Sequence, residues 1–379
     1  MSSKKETVFN KDKTIEDYAK YDLFFNGDPG LLNTVHKKYP KNFELYKEMK
    51  SLDWSEDEFD YSKCFLDFKN VNKDMSNMML ETIMFQHEAD SIAGQYPFAL
   101  IAPFQPCMEV LASELAINTN ELVHAFTYSE IIRLSFDNPE EVLQDMLSKT
   151  DTFERMELVN TKLAEFQRLS VTYSYYQTCK SQEELEKFEA ENKLELPGQL
   201  IVFYFIMFLL ERIQFMASFA ITFTICKQGP FQPIGQAVKK IAQDELEVHS
   251  EHRKEVLKVL IREHPEAFAH VKDNLIELYT AVVESELEWT DKLFHNRSLS
   301  GTNAELIKSW VLYNAKAVAN FIGIINETSQ YEYPESNPIP FLADWFNMNS
   351  TQTAPQEIDS PAYKLGVMTR DDDDEIFDI

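Results

Sequence analysis

Glycine and proline are scarce in this chain, 9 and 15 among 379 residues. It therefore lacks the turn every ~8–12 residues that a sandwich or barrel of short strands requires. What remains is long uninterrupted stretches rich in Leu, Glu, Lys, Ala, Met and Phe, a helical composition. Cysteine is also sparse: Cys64, Cys107, Cys179 and Cys226 are widely separated, with no CxxC pair. That argues against a disulfide framework, and the four thiols read as buried and structural, in a reducing compartment. Basic residues are outnumbered, 36 Lys and Arg against 63 Asp and Glu, for a formal net charge of −27. Such a surface repels a phosphate backbone, so direct nucleic-acid binding is not expected. The opening MSSKKETVFNKDKTIEDY has no apolar core of the kind a secretory signal carries, and the expected location is the cytoplasm.

One hydrophobic run is long. Leu200 to Cys226 has the length of a membrane span, but Glu211, Arg212 and Gln214 stand at its centre. Unpaired charge at mid-bilayer is costly, so the run reads as a core helix, apolar all round and enclosed by protein. Period and caps place further long helices near 70–95, 103–135, 152–180, 199–226, 232–263, 266–295 and 303–327, with short ones over Phe43–Met49 and Pro139–Leu147. Ser181 with Glu184 and Thr302 with Glu305 have capping-box spacing, and Pro139 and Pro265 suit first-turn positions. No internal repeat is visible, which argues against a solenoid.

Three parts are expected: a loosely ordered N-terminal segment, 1–50, around the Gly27-Asp28-Pro29-Gly30 turn; a helical domain, 51–330; and a tail, 331–379. The tail carries Pro334, Pro338, Pro340, Pro355 and Pro361, then the acidic run Asp371 to Glu375, and reads as disordered. It ends in Ile376-Phe377-Asp378-Ile379, apolar residues that suit a docking segment at the tip of a solvated chain.

The chemistry is carried by acids and histidines at helical spacing. Glu121 and His124 lie one turn apart on one helix face, flanked by the apolar Leu122, Val123, Ala125 and Phe126, so this helix reads as buried on most sides. Glu245 and His249 form a second pair, four residues apart. Glu211, inside the apolar run, and Asp90, in Phe85-Gln-His-Glu-Ala-Asp90-Ser-Ile, add one carboxylate each from two more helices. Four carboxylates and two histidines on four helices are the donor set of a di-metal carboxylate bundle, and hard oxygens with imidazole suit iron or manganese. Tyr128, four beyond His124, shares its helix face. Phe215 and Phe219 follow Glu211 at four and eight residues, and Ile241 precedes Glu245 by four, so apolar side chains from other helices face the same region.

In this order, Asp90-Ser-Ile, Glu121-x-x-His124-x-x-x-Tyr128, Glu211-x-x-x-Phe215-x-x-x-Phe219 and Ile241-Ala-Gln-Asp244-Glu245, the chain resembles the small subunit of class I ribonucleotide reductase. The likeness runs from about Phe24 to the C-terminus. It implies an all-α, ferritin-like helical bundle with additional helices and a flexible tail, forming a homodimer that docks through that tail on a large catalytic subunit. It also implies two iron ions per chain bridged by an oxide, manganese being the alternative. Asp90, Glu121 and His124 would hold the ion nearer the tyrosine, Glu211, Glu245 and His249 the other, and Tyr128 a stable radical. Trp54, paired with Asp244, resembles the family's electron-carrying tryptophan, and Tyr363, six residues after Glu357, its tail relay tyrosine.

Two positions depart from the family pattern. Its second pair is normally Glu-x-x-His, whereas three residues separate Glu245 from His249; a π-bulge would absorb the extra residue, and His252 is a rival ligand. Gln243 stands where many members have arginine. Two other readings of the donor set are a related di-metal oxidase and a non-enzymatic metal-binding bundle.

Overall fold

The computed structural model describes residues 7–148 and 150–346. Among them there is no strand, and the framework is eight principal helices. These are α1 (Pro40–Ser51), α2 (Lys73–Ala93), α3 (Met108–Ser135), α4 (Thr150–Cys179) and α5 (Glu195–Cys226), then α6, α7 (Pro265–Phe294) and α8 (Ala304–Ile322). The helix α6 comprises Gln232–Gln243, a π-helical turn over Asp244–His249, and Ser250–Glu263. A second π turn, Leu210–Gln214, interrupts α5.

The central bundle is α2, α3, α5 and α6: α2 packs on α3 and α5, and α6 on α5 and α3. The other four surround it, with α1 on α3 and α6, α4 on α2, and α7 and α8 on α5. This explains why α5 is apolar on every face. Of its 18 most hydropathic consecutive residues, 94% are buried inside the protein, the position expected of a core helix. Gly198 allows the close approach of α7, since a Cβ there would stand 2.9 Å from Val271 Cγ1.

Local signals account for most starts. Pro265 opens α7, Asn72 caps α2 by accepting from Met75 N at 2.9 Å, and the Ser181–Glu184 capping box opens an extra helix, Gln182–Glu191. Thr302 is not a cap. Asn303 takes that place, accepting from Leu306 N at 2.9 Å. Asn caps as well as Thr, and α8 begun at Ala304 sends Ile307, Trp310 and Val311 into the core.

Three further expectations need correction. Residues 331–346 are packed: Ile339 and Leu342 are buried, Trp345 stacks on Phe223 at 4.7 Å, and Phe346 on Trp310 at 5.7 Å. Proline prevents a long helix here without preventing burial of the aromatic residues between. The segment before α1 holds one short capped helix, Ile15–Ala19, and is anchored, with Leu23 and Phe24 buried and Phe24 against Tyr204 at 5.9 Å. Cys179, the last residue of α4, is exposed, while the other three cysteines are buried.

Candidate metal centre

Asp90 comes from α2, Glu121 and His124 from α3, Glu211 from the π turn of α5, and Glu245 and His249 from the π turn of α6. All six are buried to within 1% exposure. They form two overlapping sets. Asp90, Glu121, His124 and Glu245 each bring a ligand-type atom within 4.8 Å of the others, and so do Glu121, Glu211, Glu245 and His249. Glu121 and Glu245 belong to both sets, the arrangement of two carboxylates shared between neighbouring cations. The π turn of α6 is what accommodates the extra residue between Glu245 and His249 on one face.

His124 Nδ1 lies 3.1 Å from Glu245 Oε1, 3.5 Å from Glu121 Oε2 and 3.7 Å from Asp90 Oδ2. His249 Nδ1 lies 3.4 Å from Glu121 Oε1 and 3.5 Å from Glu245 Oε1. Yet both oxygens of Asp90 and Glu245, one each of Glu121 and Glu211, and Nδ1 of both histidines have no hydrogen-bond partner. Buried carboxylates left unpaired are costly, and a pair of divalent cations would satisfy all of these atoms together. The residues therefore fit a di-metal group.

Protonation follows from the crowding. Burial, reinforced by the Glu121 charge, raises Asp90 well above the usual carboxylate range. Burial pushes Glu211 up to about 8, against the attraction of Arg253. Glu121 is the exception: despite its burial, the two imidazoles beside it hold it down at about 2. Burial opposes a charged His249, but the carboxylates of Glu245 and Glu121 raise it to about 10.

Around this core, His124 Nε2 meets Asp244 Oδ2 at 3.1 Å, and Asp244 accepts from Trp54 Nε1 at 2.8 Å. The Trp54 and His124 rings stack at 5.9 Å. A carboxylate behind an imidazole fixes its tautomer and leaves Nδ1 free for a cation. Tyr128 is fully buried, its hydroxyl has no partner, and the His87 ring is its neighbour at 6.2 Å. Burial, then the charges of Asp90 and Glu245, keep the phenol protonated. Phe215 stacks on Phe219 at 5.3 Å and meets Phe85 edge-on at 5.9 Å, while Ile241 is fully buried one turn before Glu245.

His252 is not in either set. Its Nε2 meets Glu114 Oε1 at 2.9 Å, and its Nδ1 meets Asn42 Nδ2 at 3.1 Å. Leu122 and Phe126, expected inside, are 38% and 55% exposed on the outer face of α3. Gln243 ends the first part of α6. Glu357 and Tyr363 lie outside the described residues. Sequence reasoning missed two charged neighbours of the site, Glu114 and Arg253. Glu114 precedes Glu121 by seven and Arg253 follows His249 by four, helical spacings that would have placed both on the ligand-bearing faces.

The family model described as ribonucleotide reductase, small chain, matches residues 32–338. The chain is 25% identical over 368 residues to the ribonucleoside-diphosphate reductase subunit beta of Buchnera aphidicola from Schizaphis graminum, covering 95% of each. With the Haemophilus influenzae subunit beta it shares 24% over 381 residues, 98% of each. Among solved structures, the Clostridium botulinum ribonucleotide reductase R2 subunit superposes with a TM-score of 0.73 at 18% identity, over 92% of this chain and 100% of that one. The dimanganese(II) NrdF of Streptococcus sanguinis gives 0.63 at 14% identity, over 84% and 99%.

Proposed function

The chain belongs to the ribonucleotide reductase small-chain family, and on that premise we propose that it generates the radical of a class I ribonucleoside-diphosphate reductase. Asp90, Glu121, His124 and Glu245 would hold one metal ion, and Glu121, Glu211, Glu245 and His249 the second. Iron is the first choice, and manganese suits the same donors. When bound, the metal pair supplies oxidising power drawn from dioxygen. The chain's own residues decide where that power goes.

Tyr128 is the side chain that loses an electron and its phenolic proton. Its burial excludes water and reductants from the phenoxyl radical, and among the neighbouring charges Asp90 acts on it most strongly. Phe215, Phe219 and Ile241 contribute an apolar, unreactive wall. Trp54 passes the oxidising equivalent outward through its hydrogen bond to Asp244, itself joined to His124. From there Tyr363 and Glu357 in the tail hand it to the large subunit, where a ribonucleotide becomes a deoxyribonucleotide. The working form is a cytoplasmic homodimer docked on that subunit through its C-terminal tips.

The observation that carries this reading is a buried, unpartnered phenol on the same helix as two unpartnered metal donors. Tyr128→Phe tests it. The variant should still take up two metal ions per chain but show no tyrosyl signal by electron paramagnetic resonance after iron and oxygen are added. An undiminished radical would assign it to another tyrosine. Glu211→Ala should lower the metal count, measured by elemental analysis.

A further inference from the structure

Behind Glu211 lies a second buried polar layer. Arg253 and His252 are fully buried, and Glu114 and Asn42 are exposed by only 1% each. Glu114 Oε1 accepts from Arg253 Nη1 at 2.5 Å and from His252 Nε2 at 2.9 Å. The Asn42 amide nitrogen, a donor only, faces His252 Nδ1 at 3.1 Å, so Nδ1 is the accepting nitrogen and Nε2 carries the hydrogen. His252 is thereby a neutral donor, and Glu114 is the one counter-charge this layer offers Arg253. The free edge of the guanidinium reaches into the metal layer: Arg253 Nε donates to Glu211 Oε1 at 3.1 Å. Glu211 Oε2, with no partner, is the oxygen left for a cation.

The charges support a division of labour. The carboxylates Asp90, Glu121, Glu211 and Glu245 together balance two divalent ions, and Arg253 and Glu114 balance each other. Arg253 is therefore not needed to neutralise the metal layer. Its rigid fork can instead fix two carboxylates at a set angle, which a flexible ammonium cannot do.

Resting on the di-metal reading above, we propose that Arg253, held by Glu114, His252 and Asn42, is a positioning residue that keeps Glu211 on its metal ion through a single oxygen. With Oε1 engaged by the guanidinium, Glu211 offers only Oε2. The second oxygen is thereby withheld from the ion that Glu211 and His249 would hold.

The decisive measurement is a crystal structure of the full chain loaded with manganese(II). Glu211 should coordinate through one oxygen while the other still accepts from Arg253. Chelation by both oxygens, or separation of Arg253 from Glu211, overturns the proposal. A wild-type chain that fails to bind two ions would instead sink the di-metal reading itself. Two variants extend the test. Glu114→Gln with Arg253→Met removes both buried charges together, and Arg253→Lys keeps a charge beside Glu114 but loses the fork. Both should bind two manganese ions, with the weaker ion held at least ~10-fold more tightly and an altered paramagnetic resonance spectrum, because Glu211 is freed to chelate. If Arg253→Lys restores the wild-type spectrum and affinity, the side chain serves only as a charge and the positioning role is wrong.

Discussion

At neutral pH the buried donors hold protons that a cation must displace. Glu211, raised to about 8 by burial, and His249, raised to about 10 by its carboxylate neighbours despite burial, are both protonated at pH 7 in the metal-free chain. The metal-bound chain needs them deprotonated, so binding releases protons and affinity rises with pH below those values. Each displaced proton contributes about tenfold per pH unit. Manganese(II) titrated at pH 6.5 and 7.5 should therefore bind at least tenfold more tightly at the higher value, with heats that vary with the buffer's ionisation enthalpy. Equal affinity at both would contradict these protonation states. At this scale the six donors were legible because helical spacing and apolar flanks mark buried carboxylates. Glu114 and Arg253 share those helix faces by spacing, but the burial of Arg253 was hidden, since Ser250-Glu-His-Arg253-Lys-Glu looks like a solvated face until α5 and α1 are seen to cover it.

Between residue and fold stand the two π turns. That of α6 is written in the chain as one residue too many between Glu245 and His249, whereas that of α5 leaves no spacing signal. Its support comes from α4: Arg155 Nη2 donates to the Gln214 carbonyl at 2.7 Å and Gln214 Nε2 returns a bond to Arg155 O at 3.2 Å. Arg155 lies between the Phe85 and Trp289 rings and pairs with Glu286 of α7, Nε to Oε1 at 2.6 Å. Removing one partner leaves a buried charge uncompensated, so Glu286→Gln should cost about 3–5 kcal/mol. Replacing both, Arg155→Met with Glu286→Leu, should cost less. Urea unfolding of the three chains checks this, and a single variant as stable as the wild type would show that the pair does not brace the turn.

For the whole molecule, the outer face of α3 presents Leu115, Leu122 and Phe126, 45%, 38% and 55% exposed. Aligned apolar side chains on one helix suit a second copy of the chain. If the chain forms the proposed homodimer through this face, Phe126→Asp should shift the sedimentation coefficient to that of a monomer while leaving two metal ions bound, and an unchanged dimer would place the interface elsewhere. On the proposed function the tail would have separable duties. Truncation before Ile376 should weaken assembly with the large subunit and preserve the Tyr128 radical, because ordering a few apolar residues on the partner gives modest affinity. Tyr363→Phe should assemble normally and not turn over, since phenylalanine lacks the oxidisable phenol. Normal turnover by that variant would end the relay role.

By itself the sequence determined the helical class, the apolar α5 at its centre, the donor types and the helices that carry them. These follow from local period and side-chain chemistry, which need no knowledge of neighbours. Only the tertiary structure decided that Glu121 and Glu245 are shared by both ligand sets, that His252 turns to Glu114 while His249 joins the cluster, and that residues 331–346 lie on the bundle. Each of these depends on which faces of separate helices meet, and helix spacing along the chain says which residues share a face but not what that face encounters.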